Sequence, residues 1–218
     1  MLLDLLDELR TPKIDLGFVI SAYAASATDT FQRMKETINA IVDEYGVTGR
    51  IRYGLVTFGR DATRKLSFSR ELSDINSLKD MIENTPRPFG DPNLQKALEE
   101  ARKLFETEPK RPDALKVIVV ITDKKSTSRP EDVKQAFIPL AEEGVKIIPV
   151  AVGASADPKE LERVTSNRGY VIKTERELDP DVTAEQIMEM VLKGISNVNE
   201  GFESRNHARR GTLCSGCE

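Results

Sequence analysis

The 218-residue sequence has no tryptophan, a single histidine (His207) and only two cysteines, Cys214 and Cys217. Each scarcity excludes something. His207 lies in a stretch without hydrophobic periodicity, so a Ser-His-Asp or Cys-His catalytic arrangement inside a fold is ruled out. With both cysteines near the end, the patterned part of the chain folds without a disulfide, which fits a cytosolic protein and a piece of a secreted one equally. Charge of one sign is not in excess: 32 basic against 36 acidic residues give a formal net charge of -4. That leaves no electrostatic footprint for nucleic acid or an anionic membrane. No apolar run is long enough to cross a bilayer, so membrane insertion is not expected. The start, Met1 to Glu8, has no basic segment and carries Asp4 and Asp7 among its leucines. It does not read as a secretory signal. It reads as an amphipathic turn, or as the start of a piece of something longer.

What is present is the pattern of an α/β domain. Apolar residues make up 39% of the chain and charged residues of both signs 31%, enough for a full core under a solvated surface. Short β-rich runs alternate with helical ones. The strands are expected at Lys13–Ile20, Ile51–Phe58, Thr63–Phe68, Leu115–Thr122, Val145–Val152 and Gly169–Lys173. The helices are expected at Asp29–Tyr45, Ser73–Ile82 (with Ser73 as N-cap), Leu94–Phe105, Pro130–Glu143 (stopping at Gly144), Pro158–Val164 and Asp181–Ile195. This alternation predicts a Rossmann-like three-layer αβα arrangement: a mostly parallel sheet, helices on both faces, and one short antiparallel edge strand after the turn near Gly59. The domain is expected over 13–199, after an N-terminal extension over 1–12 and before a tail or linker over 200–218.

Several phrases carry a resemblance. Asp15-Leu16-Gly17-Phe18-Val19-Ile20 and Tyr53-Gly54-Leu55-Val56-Thr57-Phe58 look like a first and second strand. Ala97-Leu98, the run Val117 to Asp123, and Ile148 to Gly153 followed by Glu160-Leu161 stand in matching order. Over this stretch the chain resembles the von Willebrand factor type A domain, in the branch found in extracellular matrix and adhesion proteins. In that family a metal-ion-dependent adhesion site closes the carboxyl end of the sheet, where ligands of open α/β sheets bind. The resemblance implies ligands from an Asp-x-Ser-x-Ser loop, a Thr-x-Thr-Gly loop and a later aspartate. Here the first set of positions holds Ser21, Tyr23 and Ala25. The threonine falls at Pro92, or at Asp91 if the loop shifts. Asp123 is the only retained family ligand, and Lys124 replaces the glycine after it.

A hard divalent cation wants several oxygens with carboxylates among them. On this donor set no metal cofactor (Mg, Ca or Mn) is expected, and the site is expected to be degenerate. Asp123 still invites a positive partner. Lys124, Lys125 or Arg87 could place a side-chain cation where the metal would be; alternatively Asp123 caps the loop that follows it. Tyr23 and Phe89 are expected on the rim loops (21–29, 87–93 and 123–129), as exposed aromatics that could anchor a partner or, for Tyr23, as a ring folded over the vacated site.

No catalytic residue is assigned, and an enzyme is not expected. Cys214-Ser215-Gly216-Cys217 has the spacing of half a zinc site, without the other ligands. It reads as the start of a cysteine-containing segment. Arg205, His207, Arg209 and Arg210 form a basic cluster beside it, open to a weak contact with acidic glycans or simply solvated. The resemblance implies a secreted or matrix module for protein binding and cell adhesion, with a matrix component such as collagen as ligand. Self-association and an intracellular role as an assembly adaptor stay open.

Overall fold

Apolar side chains alternate faces along each central strand, and the sheet they build is covered twice. The computed structural model describes residues 13–21, 23, 29–47, 49–68, 74–106, 109–165, 170–174 and 177–193. The strands are β1 (Ile14–Ser21), β2 (Ile51–Phe58), β3 (Ala62–Leu66), β4 (Leu115–Thr122), β5 (Lys146–Val152) and β6 (Ile172–Thr174). The helices are α1 (Thr30–Tyr45), α2 (Ile75–Glu83), α3 (Leu94–Phe105), α4 (Pro130–Glu142), the short α5 (Pro158–Leu161) and α6 over 180–193. The sheet order is β3-β2-β1-β4-β5-β6. Every pairing is parallel except β2 with β3. The expected layout, including the single antiparallel edge strand, is the one observed.

The period-2 rule sorts the core. Leu16, Phe18 and Ile20 of β1, with Val117, Val119 and Ile121 of β4, face one layer, joined by Met34, Ile38 and Ile41 of α1 and by Ile187 and Val191 of α6. Val19, Ile118 and Val120 face the other layer, with Leu98, Ala101 and Leu104 of α3 and Leu140 of α4. All eight residues of β1 are buried, which explains why this strand reads as a nearly continuous apolar run.

Several boundaries differ from expectation. The cap of α2 is Asp74, whose carboxylate accepts from the amides of Asn76 and Ser77; the expected cap, Ser73, lies outside the described residues. β3 ends at Leu66, and Phe68 turns inward to meet Phe105 at a ring-centroid distance of 5.2 Å. α5 is only four residues long. β6 begins at Ile172 rather than Gly169, which lies outside the described residues together with Ile195. Gly144 ends α4 in the left-handed region, at φ 74°. Among the described residues no helix is long and apolar enough to cross a membrane. The expected extension over 1–12 and the tail over 200–218, with His207 and both cysteines, lie outside the described residues.

Candidate functional site at the carboxyl edge of the sheet

β1 and β4 are parallel neighbours in register, and Ser21 pairs with Thr122 at their ends. From β1 the chain crosses to β2 on one side, while β4 leads to β5 on the other. This is the switch point where loops diverge and leave a crevice. Tyr23 and Asp123 therefore emerge side by side although they are 100 residues apart.

Asp123 is buried, 5% exposed. Its Oδ1 accepts a hydrogen bond of 2.8 Å from the backbone N–H of Tyr23. Its Oδ2 has no hydrogen-bond partner among the described residues. Neither expected partner is the one found. No lysine or arginine is ion-paired with Asp123 among the described residues, and the carboxylate ties the β1 loop rather than capping its own.

The cations go elsewhere. The Lys124 Nζ donates to Asp91 Oδ1 at 2.7 Å and sits 3.3 Å from the centroid of the Tyr23 ring. The Asp91 carboxylate, hydrogen-bonded to it, holds the Lys124 ammonium above the usual lysine range. Lys125 turns away to Asp157 at 3.0 Å, which lowers the Asp157 carboxyl. Arg87 donates to the Tyr23 carbonyl. Tyr23 is thus held at its amide by Asp123, at its carbonyl by Arg87 and at its ring by Lys124. The third position of this loop, Ala25, lies outside the described residues. Pro92 supplies a carbonyl rather than a hydroxyl, and that carbonyl accepts from the amide of Thr127 at 2.9 Å.

Two serines and a glutamate finish the rim, and sequence reasoning missed all three. Ser126 Oγ accepts from the amide of Leu94 and Ser128 Oγ from that of Gln95, so the 123–129 loop caps the start of α3. Glu160 is buried and accepts from the Ser126 amide at 2.9 Å. Burial pushes its carboxyl up, against the opposing effect of that hydrogen bond. The serine-rich run Ser126-Thr127-Ser128 was the visible signal; its partners, more than 30 residues away, were not.

Among the described residues no three His, Cys, Asp or Glu side chains gather to hold a metal. The carboxylate of Asp91 is already engaged by an ammonium, which would repel a second cation.

Comparison with known proteins places the fold. Residues 15–187 match the model of the von Willebrand factor type A domain. The chain belongs to this family. It is 26% identical over 162 residues to the collagen alpha-6(VI) chain of Homo sapiens, a match covering 70% of this chain and 7% of that protein. The Mus musculus counterpart is 28% identical over 157 residues, again 70% of this chain and 7% of that protein. The chain therefore spans a small part of the curated relatives it matches. Among solved structures, proximal thread matrix protein 1 of the mussel byssus, with a zinc-occupied adhesion motif, superposes at a TM-score of 0.68 and 27% identity. That match covers 84% of this chain and 45% of the mussel protein.

Proposed function

We propose that this A domain is a non-enzymatic, protein-binding module of an extracellular matrix-type protein, and that it engages its ligand without a divalent cation. The family assignment and the matrix proteins among its relatives support the module and the setting; a matrix component such as collagen is the ligand class they favour. The observation that carries the second half is the Lys124 ammonium. It bridges Asp91 and the Tyr23 ring on the rim loops, so a positive charge already engages the carboxylate that a cation bound at this rim would call on. An ammonium over an aromatic face is attracted by the ring's negative face, which favours this arrangement over an open rim.

Isothermal titration with magnesium, manganese and calcium tests the metal half, with no saturable heat expected. A matrix-protein binding array run with and without EDTA tests both halves, with bound ligands unaffected by the chelator. Micromolar metal binding, or binding lost in EDTA, would overturn cation independence. An array that captures nothing would overturn the matrix reading.

A further inference from the structure

A second feature lies beside the rim and shares only Arg87 with the network around Tyr23. A cleft of about 330 Å³ separates the β2–β3 edge from the 86–89 loop, lined by Thr57, Arg60, Thr63, Lys65, Pro86 and Phe89 among others. Phe89 is 79% exposed, the most exposed of the large apolar side chains described. Its ring is approached by the Arg60 guanidinium at 5.9 Å. Exposed aromatics beside arginine are the residue types that dominate protein-binding hot spots.

The charge balance of the cleft is one-sided. Its acid, Asp61, is held by Lys96 at 2.6 Å, which keeps it ionised and leaves it compensated from outside the cleft. The neighbouring Arg60 charge also favours the Asp61 anion, but Asp61 makes its ion pair with Lys96, and Arg60 and Lys65 bring two positive charges to the cleft against this one acid.

The cleft is built rather than incidental. The amide of Arg60 donates to the Phe89 carbonyl at 2.9 Å, and that of Asn93 to the Gly59 carbonyl at 2.9 Å. Gly59 lies so close to the opposing loop that a Cβ there would stand 2.2 Å from the Phe89 carbonyl oxygen. Gly90 completes the turn at φ 85°. Two backbone hydrogen bonds and a glycine contact therefore fix Phe89 relative to Arg60 before any ligand arrives, which lowers the ordering cost of binding.

We propose that this cleft receives an acidic peptide segment of the protein ligand, with a carboxylate between Arg60 and Lys65 and a neighbouring apolar side chain against Phe89 and Pro86. The proposal rests on the reading that the domain binds a protein. It adds where contact is made and by what chemistry. A peptide fits better than a sulfated glycan because Phe89 and the prolines offer apolar area that a glycan would leave unused.

The test uses the whole chain in two assays. Fluorescence anisotropy follows a labelled synthetic peptide of alternating glutamate with leucine and phenylalanine, and a glutamine-substituted copy serves as control. Saturable binding is expected for the acidic peptide only. It should weaken at least tenfold in the R60A/K65A double variant and in F89A, and stay unchanged in K159A/R163A, which removes the same charge from the groove between α4 and α5. Absence of binding, or binding indifferent to R60A/K65A and F89A, overturns the proposal. So does heparin binding that needs Arg60 and Lys65 but ignores Phe89, since that marks a glycan site. Circular dichroism confirms that each variant folds, and the exposure of these side chains makes folding the expected result. The matrix array separates the two readings. Array ligands retained by an R60A/K65A/F89A variant would sink this cleft and leave the matrix reading standing. A wild-type protein that bound the peptide but no array ligand would do the reverse.

Discussion

Two buried aspartates mark opposite ends of the same sheet, and they are treated in opposite ways. Asp15, at the amino end of β1, is 2% exposed and receives Arg52 through both carboxylate oxygens, at 2.9 and 2.7 Å. Arg111 adds bonds to Asp15 and to the Ile14 carbonyl. The guanidiniums spend their remaining donors on the carbonyls of Pro109 and Gly49. Asp123, beyond the carboxyl end of β4, is nearly as buried but keeps one backbone amide and an oxygen without a partner among the described residues. The first end is a closed ion cluster that clamps three segments of chain. The second is a carboxylate left under-satisfied in the crevice where this fold places its ligands. Stability and function have been assigned to different poles.

The comparison breaks most visibly at the closed end. D15A leaves two guanidiniums buried without their counter-charge. Removing one partner of a buried pair costs about 3–5 kcal/mol, and the loss should appear as a lower urea midpoint at unchanged slope. A loss under about 1 kcal/mol would mean that the cluster is solvated like a surface pair. D15N should retain most of the penalty, because the charge rather than the shape is what the arginines need.

Next in size is G59A, at the edge of the rim. Its methyl would meet a backbone oxygen that can move only by shifting the 86–90 loop. Overpacking of this kind costs about 1–3 kcal/mol. The same shift should weaken peptide binding at the cleft, so anisotropy and urea unfolding should respond together. A full-strength binder destabilised by that amount would separate the loop's position from the cleft's function.

At the open end the effect should be smaller. D123A removes the acceptor of the Tyr23 amide, a net loss of about 1 kcal/mol. D123N keeps an acceptor at Oδ1 and should cost less than D123A. The contrast between the two asparagine variants is the sharp form of the comparison: large at residue 15, small at residue 123. Equal losses would show that Asp123 is held by charge after all.

How far the sequence revealed these two poles follows from the range of the interactions. β1, β2 and β4 were legible nearly to the residue because burial of their middles on both faces requires a mostly apolar run. Helix α3 was legible because Leu94, Ala97, Leu98, Ala101 and Phe105 repeat with the helical period. The positions of Tyr23, Asp91, Asp123 and Lys124 on one rim followed from the order of elements, but their pairing did not. Lys124, Lys125 and Arg87 were equivalent on paper; the direction of each side chain after β4, and the placement of Asp91 and Asp157, decided among them. The Asp15 cluster left a readable trace, an acid inside an apolar strand, yet its partners lie 37 and 96 residues away and nothing local names them. The α2 cap was displaced by one residue because Ser73 and Asp74 are both good caps, and only backbone geometry chooses between them.

A third buried carboxylate shows which pole's logic the rim follows. Glu160 is held by the Ser126 amide, and burial raises its carboxyl above the ordinary glutamate range. A raised folded-state value means the folded protein binds this proton more tightly than the unfolded chain does. Its contribution is therefore most favourable below the unfolded value of about 4.3 and declines as pH rises through the raised folded value. At neutral pH the rim carries a buried carboxylate that unfolding would release to water. E160Q removes the titration while keeping an oxygen for the Ser126 amide. Urea unfolding of the two proteins from pH 4 to pH 7 should show E160Q gaining stability relative to wild type as pH rises, by the smallest margin of the four tests. The opposite slope would mean that Glu160 is stabilised as an anion by nearby cations. The rim would then be a second clamp rather than the under-satisfied edge that the Asp123 geometry describes.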